Sequence, residues 1–228
     1  VLFAHRGGRA HAPDNTIEAF ALGLRLGATG LEGDAWLTSD GVAVLDHDGY
    51  VRSGLRRRPI PRTARNDLPP HIPTLAGLYQ ACGNGFELSL DVKDVAAFDE
   101  IIAVARAAGG PLSRLWLCHP DLDVLVDWRK RCDDVRLINS TRLRWLARGP
   151  ERRAAELAAE GIDGVNLHHS DWTGGLTTLF HRFERVAFGW DAQHERVLRG
   201  LLQMGIDGVF SDWVDRMVDA YRAHSDGS

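Results

Sequence analysis

The chain has 228 residues, 44% hydrophobic and 25% charged, a size and balance that fit one folded domain of barrel type and leave no room for a second. A formal net charge of −4 excludes a general attraction to nucleic acid, and no run of about 18 apolar residues predicts a membrane span. Three cysteines (Cys82, Cys118 and Cys132), widely spaced and without a CxxC pair, argue against a disulfide framework or a thiolate zinc site.

Val1 opens directly into a strand-like run, so no signal peptide is visible. A cytoplasmic location is expected, or a secreted one if a leader has been removed. Oligomeric state is not legible.

In chain order, β-type runs are predicted at Val1–His5, Gly30–Trp36, Phe86–Val92, Leu115–His119, Val135–Asn139, Asp163–Leu167, Val186–Trp190 and Gly208–Asp212. Amphipathic helical stretches fall between them, among them Asn15–Leu26, Ala96–Ala108, Leu122–Arg131, Glu151–Glu160 and Arg196–Met204. The segments Gly27-Ala-Thr-Gly-Leu, Gly161-Ile-Asp-Gly-Val and Gly205-Ile-Asp-Gly-Val repeat one helix-to-strand turn. Strands alternating with helices imply a parallel sheet. Eight such units, with no Gly-rich dinucleotide fingerprint after the first, imply closure into a single (β/α)8 barrel over residues 1–228. A barrel of this kind takes roughly 250 residues, with a lower limit near 200, so few insertions are expected.

The working face of such a barrel lies at the C-terminal ends of its strands. Those ends read His5-Arg6, Glu32 and Asp34, Asp91 and Lys93, His119, Asn139, His168, Trp190 and Asp212. Glu32 and Asp34 are two apart on one strand and project to one side, and Asp91 and Lys93 repeat the spacing on the next. Three converging carboxylates repel one another unless a cation sits among them. All-oxygen donors suit Mg²⁺, Ca²⁺ or Mn²⁺ better than zinc. The run from Thr38 to His47, with a turn at Asp40-Gly41, is predicted to fold back on the second strand and bring His47 to the mouth. His5 and His47 could then divide base and acid work near neutral pH. Other histidines, including His71, His181, His194 and His224, read as surface residues, and no role follows for His119, His168, His169 or Asn166.

His5-Arg6-Gly7, Ala12-Pro-Asp-Asn-Thr16 and Ala19-Phe20 open a pattern continued by Leu31-Glu-Gly-Asp34, Thr38-Ser-Asp-Gly41 and His47-Asp48. Pro73-Thr-Leu75, Asp91-Val-Lys93 and Gly208-Val-Phe-Ser-Asp212 complete it. In this order and spacing the chain resembles the glycerophosphodiester phosphodiesterase family almost end to end.

The resemblance implies metal-dependent hydrolysis of glycerophosphodiesters to sn-glycerol 3-phosphate and an alcohol. His5 and His47 would be the acid/base pair, and Glu32, Asp34 and Asp91 would hold one divalent cation. Arg6 and Lys93 would face the phosphate, and Trp190 would wall the pocket. The substrate would be a small phosphodiester or, as the alternative, a lysophospholipid or sphingomyelin from which the same frame releases the headgroup alcohol, a lysophospholipase D or sphingomyelinase D-like activity. Three departures stand out: Pro13-Asp where the family has Pro-Glu, Asp91 where Glu is commoner, and Trp190-Asp-Ala-Gln193 where Trp-Thr-Val-Asn is usual. The region Gly49–Ile72, where relatives often carry a long cap, is short and holds Arg52, Arg56, Arg57, Arg58, Arg62 and Arg65. It reads either as a basic rim or as a solvated loop whose arginines pair with carboxylates.

Overall fold

The computed structural model describes residues 1–53 and 56–226, without the side chains of Ser53 and Arg56. Gly54 and Leu55, within the arginine-rich segment, lie outside the described residues. The strands are β1 (Leu2–Ala4), β2 (Gly30–Leu37), β3 (Ala43–Leu45), β4 (Tyr50–Ser53), β5 (Arg56–Pro59), β6 (Glu87–Val92), β7 (Leu115–His119), β8 (Arg136–Thr141), β9 (Gly164–His168), β10 (Val186–Trp190) and β11 (Gly208–Ser211). The helices are α1 (Ile17–Arg25), α2 (Leu75–Cys82), α3 (Phe98–Ala107), α4 (Leu122–Arg131), α5 (Gly149–Ala159), α6 (Gly174–Arg182), α7 (Glu195–Gln203) and α8 (Val214–Ser225).

Eight of the strands run parallel in the ring order β1, β2, β6, β7, β8, β9, β10, β11, and pairing of β1 with both β2 and β11 closes it. The fold is therefore a (β/α)8 barrel. Each predicted strand is present to within two residues. Three helices, α2, α6 and α8, join the five predicted stretches. The segment after β2 turns at Gly41, and β3 pairs antiparallel with β2, Ala35 opposite Leu45. The hairpin of β4 and β5 follows, so the short segment after the second strand is a hairpin and loop rather than a cap. Arg57 there lies over the Tyr50 ring at 4.3 Å, and Arg58 donates to the Asp67 carbonyl at 3.1 Å.

Period-two alternation decides which side chains enter the barrel. Phe3, Cys118, Ile138, Phe188 and Phe210 form one buried cluster, with Phe3 stacked on Phe210 at 4.5 Å between ring centroids. This aromatic plug fills the barrel and forms the floor beneath whatever lies above it. A second, larger core of Leu, Ile, Val and Ala joins the outer faces of the strands to the helices. Helix starts follow their sequence: the Thr16 hydroxyl accepts the Ala19 N–H at 3.2 Å, and Thr74 accepts the Gly77 N–H at 2.9 Å. The repeated Gly27, Gly161 and Gly205 all take positive φ, which ends a helix and reverses the chain into the next strand.

Candidate active site

One step further along the inward-facing positions, the strands end in polar residues. A cavity of about 280 Å³ opens above the plug, lined by His5, Arg6, Glu32, Asp34, Asp91, Lys93 and Trp190 together with Ser89, Cys118, Ser140, Asn166, Asp191 and Phe210. Seven of the eight residues singled out from sequence thus meet in one place. The eighth does not: His47 follows β3 at the rim, exposed, with Nδ1 2.9 Å from Asp48 Oδ1. Its neighbour Asp46 is tied to the mouth by an N–H bond to the Asp34 carbonyl at 2.9 Å.

β1 delivers His5 and Arg6. The turn after it needs Gly7, whose φ is +81° and whose added Cβ would stand 2.5 Å from the Ala19 carbonyl carbon on α1. Arg6 itself has φ of 51°, a strained conformation for a residue with a side chain. The turn lets the Arg6 N–H donate to Glu32 Oε2 at 2.9 Å and its Nε approach Asp34 Oδ2 at 3.0 Å.

Because Ala4 pairs with Ser211, the next residues fall side by side, and His5 Nδ1 lies 2.6 Å from Asp212 Oδ1. The other ring nitrogen is 3.8 Å from Glu32 Oε2. Burial pulls the His5 pKa down, but the carboxylates of Glu32 and Asp212 outweigh it and hold the imidazole above its ordinary value. Asp212 is correspondingly held low: burial opposes this, and the bond to His5 overcomes it. Glu32 shows the opposite strain. Burial, reinforced by Asp34 and Asp91 and only partly offset by His5, pushes its pKa up to about 7.

Asp34 and Asp91 are register partners on β2 and β6. Asp34 is held by Arg6, by Asn15 Nδ2 at 3.0 Å and by Lys93 Nζ at 3.2 Å from Oδ1. Lys93 also pairs with Asp91, so its ammonium bridges the two carboxylates. Burial would lower the Lys93 pKa, but Asp91 and Asp34 drive it well above the usual lysine range. The acidic cluster therefore demands positive charge, and oxygen donors of this kind fit Mg²⁺, Ca²⁺ or Mn²⁺.

Among the described residues, the trio that brings one ligand atom of each within 4.8 Å of the others is a different one: His168, His169 and Asp191. Hydrogen bonding gives His168 another task. Its Nδ1 accepts the Ser170 N–H at 3.2 Å, so the proton sits on Nε2, which donates to Asp191 Oδ2 at 3.1 Å. In this arrangement His168 orients Asp191. Its ring also meets the edge of Trp190 at 4.6 Å between centroids, fixing one wall of the cavity.

Sequence reading passed over two groups that the site uses. In the sequence Asp212 stands at a strand end without a role of its own, and Asn15 belongs to the helix entry. The signal for Asp212 was present in the closing of the barrel, which brings the first and last strands together.

The C-terminal mouth of a closed (β/α)8 barrel thus gathers a half-buried histidine, two cationic side chains and three carboxylates in one cavity. Residues 5–109 match the model of the glycerophosphoryl diester phosphodiesterase family. It is similar, at 26% identity over 99% of its length and 92% of the relative's, to the probable glycerophosphodiester phosphodiesterase 2 of Mycobacterium tuberculosis. It is 33% identical to human glycerophosphodiester phosphodiesterase 1 over 52% of this chain and 39% of that one. Its fold matches a phosphodiesterase of Oleispira antarctica solved with the product sn-glycerol 3-phosphate, with a TM-score of 0.84 and 20% identity over 97% of this chain and 96% of the other.

Proposed function

We propose that the chain hydrolyses glycerophosphodiesters to sn-glycerol 3-phosphate and an alcohol, with His5 as one proton-transfer group and a divalent cation held by Glu32, Asp34 and Asp91. The observation that carries this reading is the convergence of His5, Glu32, Asp34, Asp91, Arg6 and Lys93 on one cavity at the barrel mouth. The match of residues 5–109 to the phosphodiesterase family model and the similarity to the mycobacterial relative support the substrate class. The lysophospholipid alternative draws no support from the relatives.

Arg6 and Lys93 place positive charge where the non-bridging phosphate oxygens would lie. His5, aligned by Asp212, moves a proton at Nε2, either from the attacking hydroxyl or to the departing alcohol. His47 is its partner in this scheme, and reaching the cavity requires its ring to turn from Asp48 toward the mouth. Trp190 bounds the space left for substrate. A bound Mg²⁺, Ca²⁺ or Mn²⁺ would supply Lewis-acid stabilisation of phosphate charge.

The test is release of sn-glycerol 3-phosphate from glycerophosphocholine, with and without chelator, beside His5→Ala. Release that stops with chelator, returns with Mg²⁺ or Ca²⁺ and is lost in the variant is expected. Release that ignores both chelator and variant would overturn the reading.

A further inference from the structure

Most buried polar atoms in the cavity have partners, and one without explanation is Oδ1 of Asn166. Asn166 sits on β9, is 6% exposed and lines the cavity, yet its carbonyl oxygen has no hydrogen-bond partner. A buried amide oxygen left unpaired costs stability and persists where a ligand completes it. Beside it, Ser140 on β8 is its register partner, so both side chains enter the barrel from adjacent strands and both line the cavity.

The ring order puts β9 directly across the barrel from β2, four strands away in either direction. Charge divides the same way. Arg6, Lys93, Glu32, Asp34 and Asp91 come from β1, β2 and β6 or the turns that follow them, so a phosphate belongs on that arc. On the opposite arc the open acceptor is a neutral amide oxygen. Among the described residues lining the cavity, the carboxylate on that arc is Asp191, already taken by His168 at 3.1 Å and by Gln193 Nε2 at 3.3 Å. An amide oxygen accepts from a hydroxyl, whereas a quaternary ammonium headgroup carries no N–H to donate to it.

We infer that Asn166, with Ser140 beside it, is the specificity-determining contact for a hydroxyl of the glycerol arm, read across the barrel from the phosphate. The assignment rests on the proposed function for its substrate but not for its test, because a phosphate monoester binds without turnover.

Binding of sn-glycerol 3-phosphate is compared by calorimetry with that of propyl phosphate, which has the same carbon chain and no hydroxyl. The wild type is expected to prefer the hydroxylated ligand by roughly 10- to 100-fold, the scale of one or two buried hydrogen bonds. Asn166→Leu, similar in shape and unable to accept, should bind both alike while melting at or above the wild-type temperature, since it removes an unpaired buried oxygen. Asn166→Asp, which keeps the acceptor, should retain the preference even as both ligands weaken. If Asn166→Leu does not fold, Asn166→Ala serves as the second acceptor-free variant. No preference in the wild type, or an undiminished preference in the acceptor-free variant, overturns the inference. Loss of glycerophosphocholine turnover with the binding preference intact would instead remove the hydrolase reading and leave the subsite standing.

Discussion

His5 and Asp212, 207 positions apart in the chain, meet at 2.6 Å because β1 and β11 are the two strands whose pairing closes the ring. The carboxylate does two things to the imidazole. It fixes which nitrogen faces the cavity, and with Glu32 it raises the ring's proton affinity above the ordinary value against the effect of burial. Asp212→Asn keeps the shape and removes the charge. In the proposed mechanism kcat should fall by about 10- to 1,000-fold, and the limb of the pH–rate profile that His5 sets, the acid limb for a base or the alkaline limb for an acid, should move to lower pH, because the imidazole then loses its proton more easily. A pH–kcat series on the two proteins checks both. An unshifted limb would mean that His5 is not the group titrating.

Asn15 does for Asp34 what Asp212 does for His5. Its Nδ2 donates to Asp34 Oδ2 at 3.0 Å, and its Oδ1 accepts the Asp34 N–H at 3.2 Å. Its own φ is 52°, a left-handed conformation that Asn tolerates better than most residues. Asn15→Ala loses both bonds and keeps the strain, at a cost of about 2–4 kcal/mol. For a domain of this size that is a fall in melting temperature of roughly 5 to 10 °C. Cation-dependent activity should drop as well, because Asp34 loses one of its three holders. Differential scanning fluorimetry with an activity assay tests the pairing of the two effects.

The strands and the carboxylate cluster were legible because period-two alternation is a local signal. Glu32 and Asp34, or Asp91 and Lys93, must share a face wherever their strands go. The first helix entry was equally local, announced by Pro13-Asp-Asn-Thr16. Helix α6 was not, since it begins Gly174-Gly175, residues of poor helix propensity that tertiary packing overrides. The pairing of His5 with Asp212 depends on barrel closure, and no neighbouring residue encodes it. The direction of His47 was likewise beyond local reading. The return strand brings its backbone to the mouth, but a side-chain rotation that sequence does not specify sets its ring toward Asp48.

That orientation makes His47 a sharp test. The ring is exposed, so His47→Ala should change stability by no more than about 0.5 kcal/mol. If the ring serves as the second proton-transfer group, kcat falls by about 100-fold or more with the melting temperature unmoved. Unchanged kcat would leave His5 as the histidine of the reaction and send the search for its partner elsewhere on the rim.

Glu32 predicts how cation binding depends on pH. Its pKa, pushed up to about 7 by burial first and by Asp34 and Asp91 with it, means that the folded protein keeps a proton there that the unfolded chain would release. A carboxyl group with a raised folded pKa adds stability at low pH that is lost between its unfolded value near 4.5 and about 7. A divalent cation held by Glu32 must displace that proton below pH 7. Apparent affinity for Mg²⁺ should therefore weaken about tenfold between pH 8 and pH 6. Titration calorimetry at the two values, in buffers of different ionisation enthalpy, would also count the proton released. Equal affinity and no proton release would place the cation away from Glu32.

At the other end of the barrel, Asp163 supplies the control for all of these. It precedes β9 at the N-terminal face, where Arg129 Nη2 lies 2.6 Å and Arg136 Nη1 2.7 Å from its carboxylate, and Oδ2 accepts the Leu137 N–H at 2.8 Å. One side chain thus ties the starts of β8 and β9 to the end of α4. Asp163→Ala would strand a backbone donor and leave two guanidiniums facing each other without their counter-charge. The expected cost is about 2–4 kcal/mol, discounted from the fully buried case because Arg136 is half exposed. The strand ends that carry chemistry lie at the opposite face, so kcat per folded molecule should be unchanged below the lowered melting temperature. A variant that kept its stability would show that water satisfies these groups as well as the carboxylate does. One that lost kcat at full folding would show that strain at the base of β8 and β9 reaches Ser140 and Asn166 at the mouth.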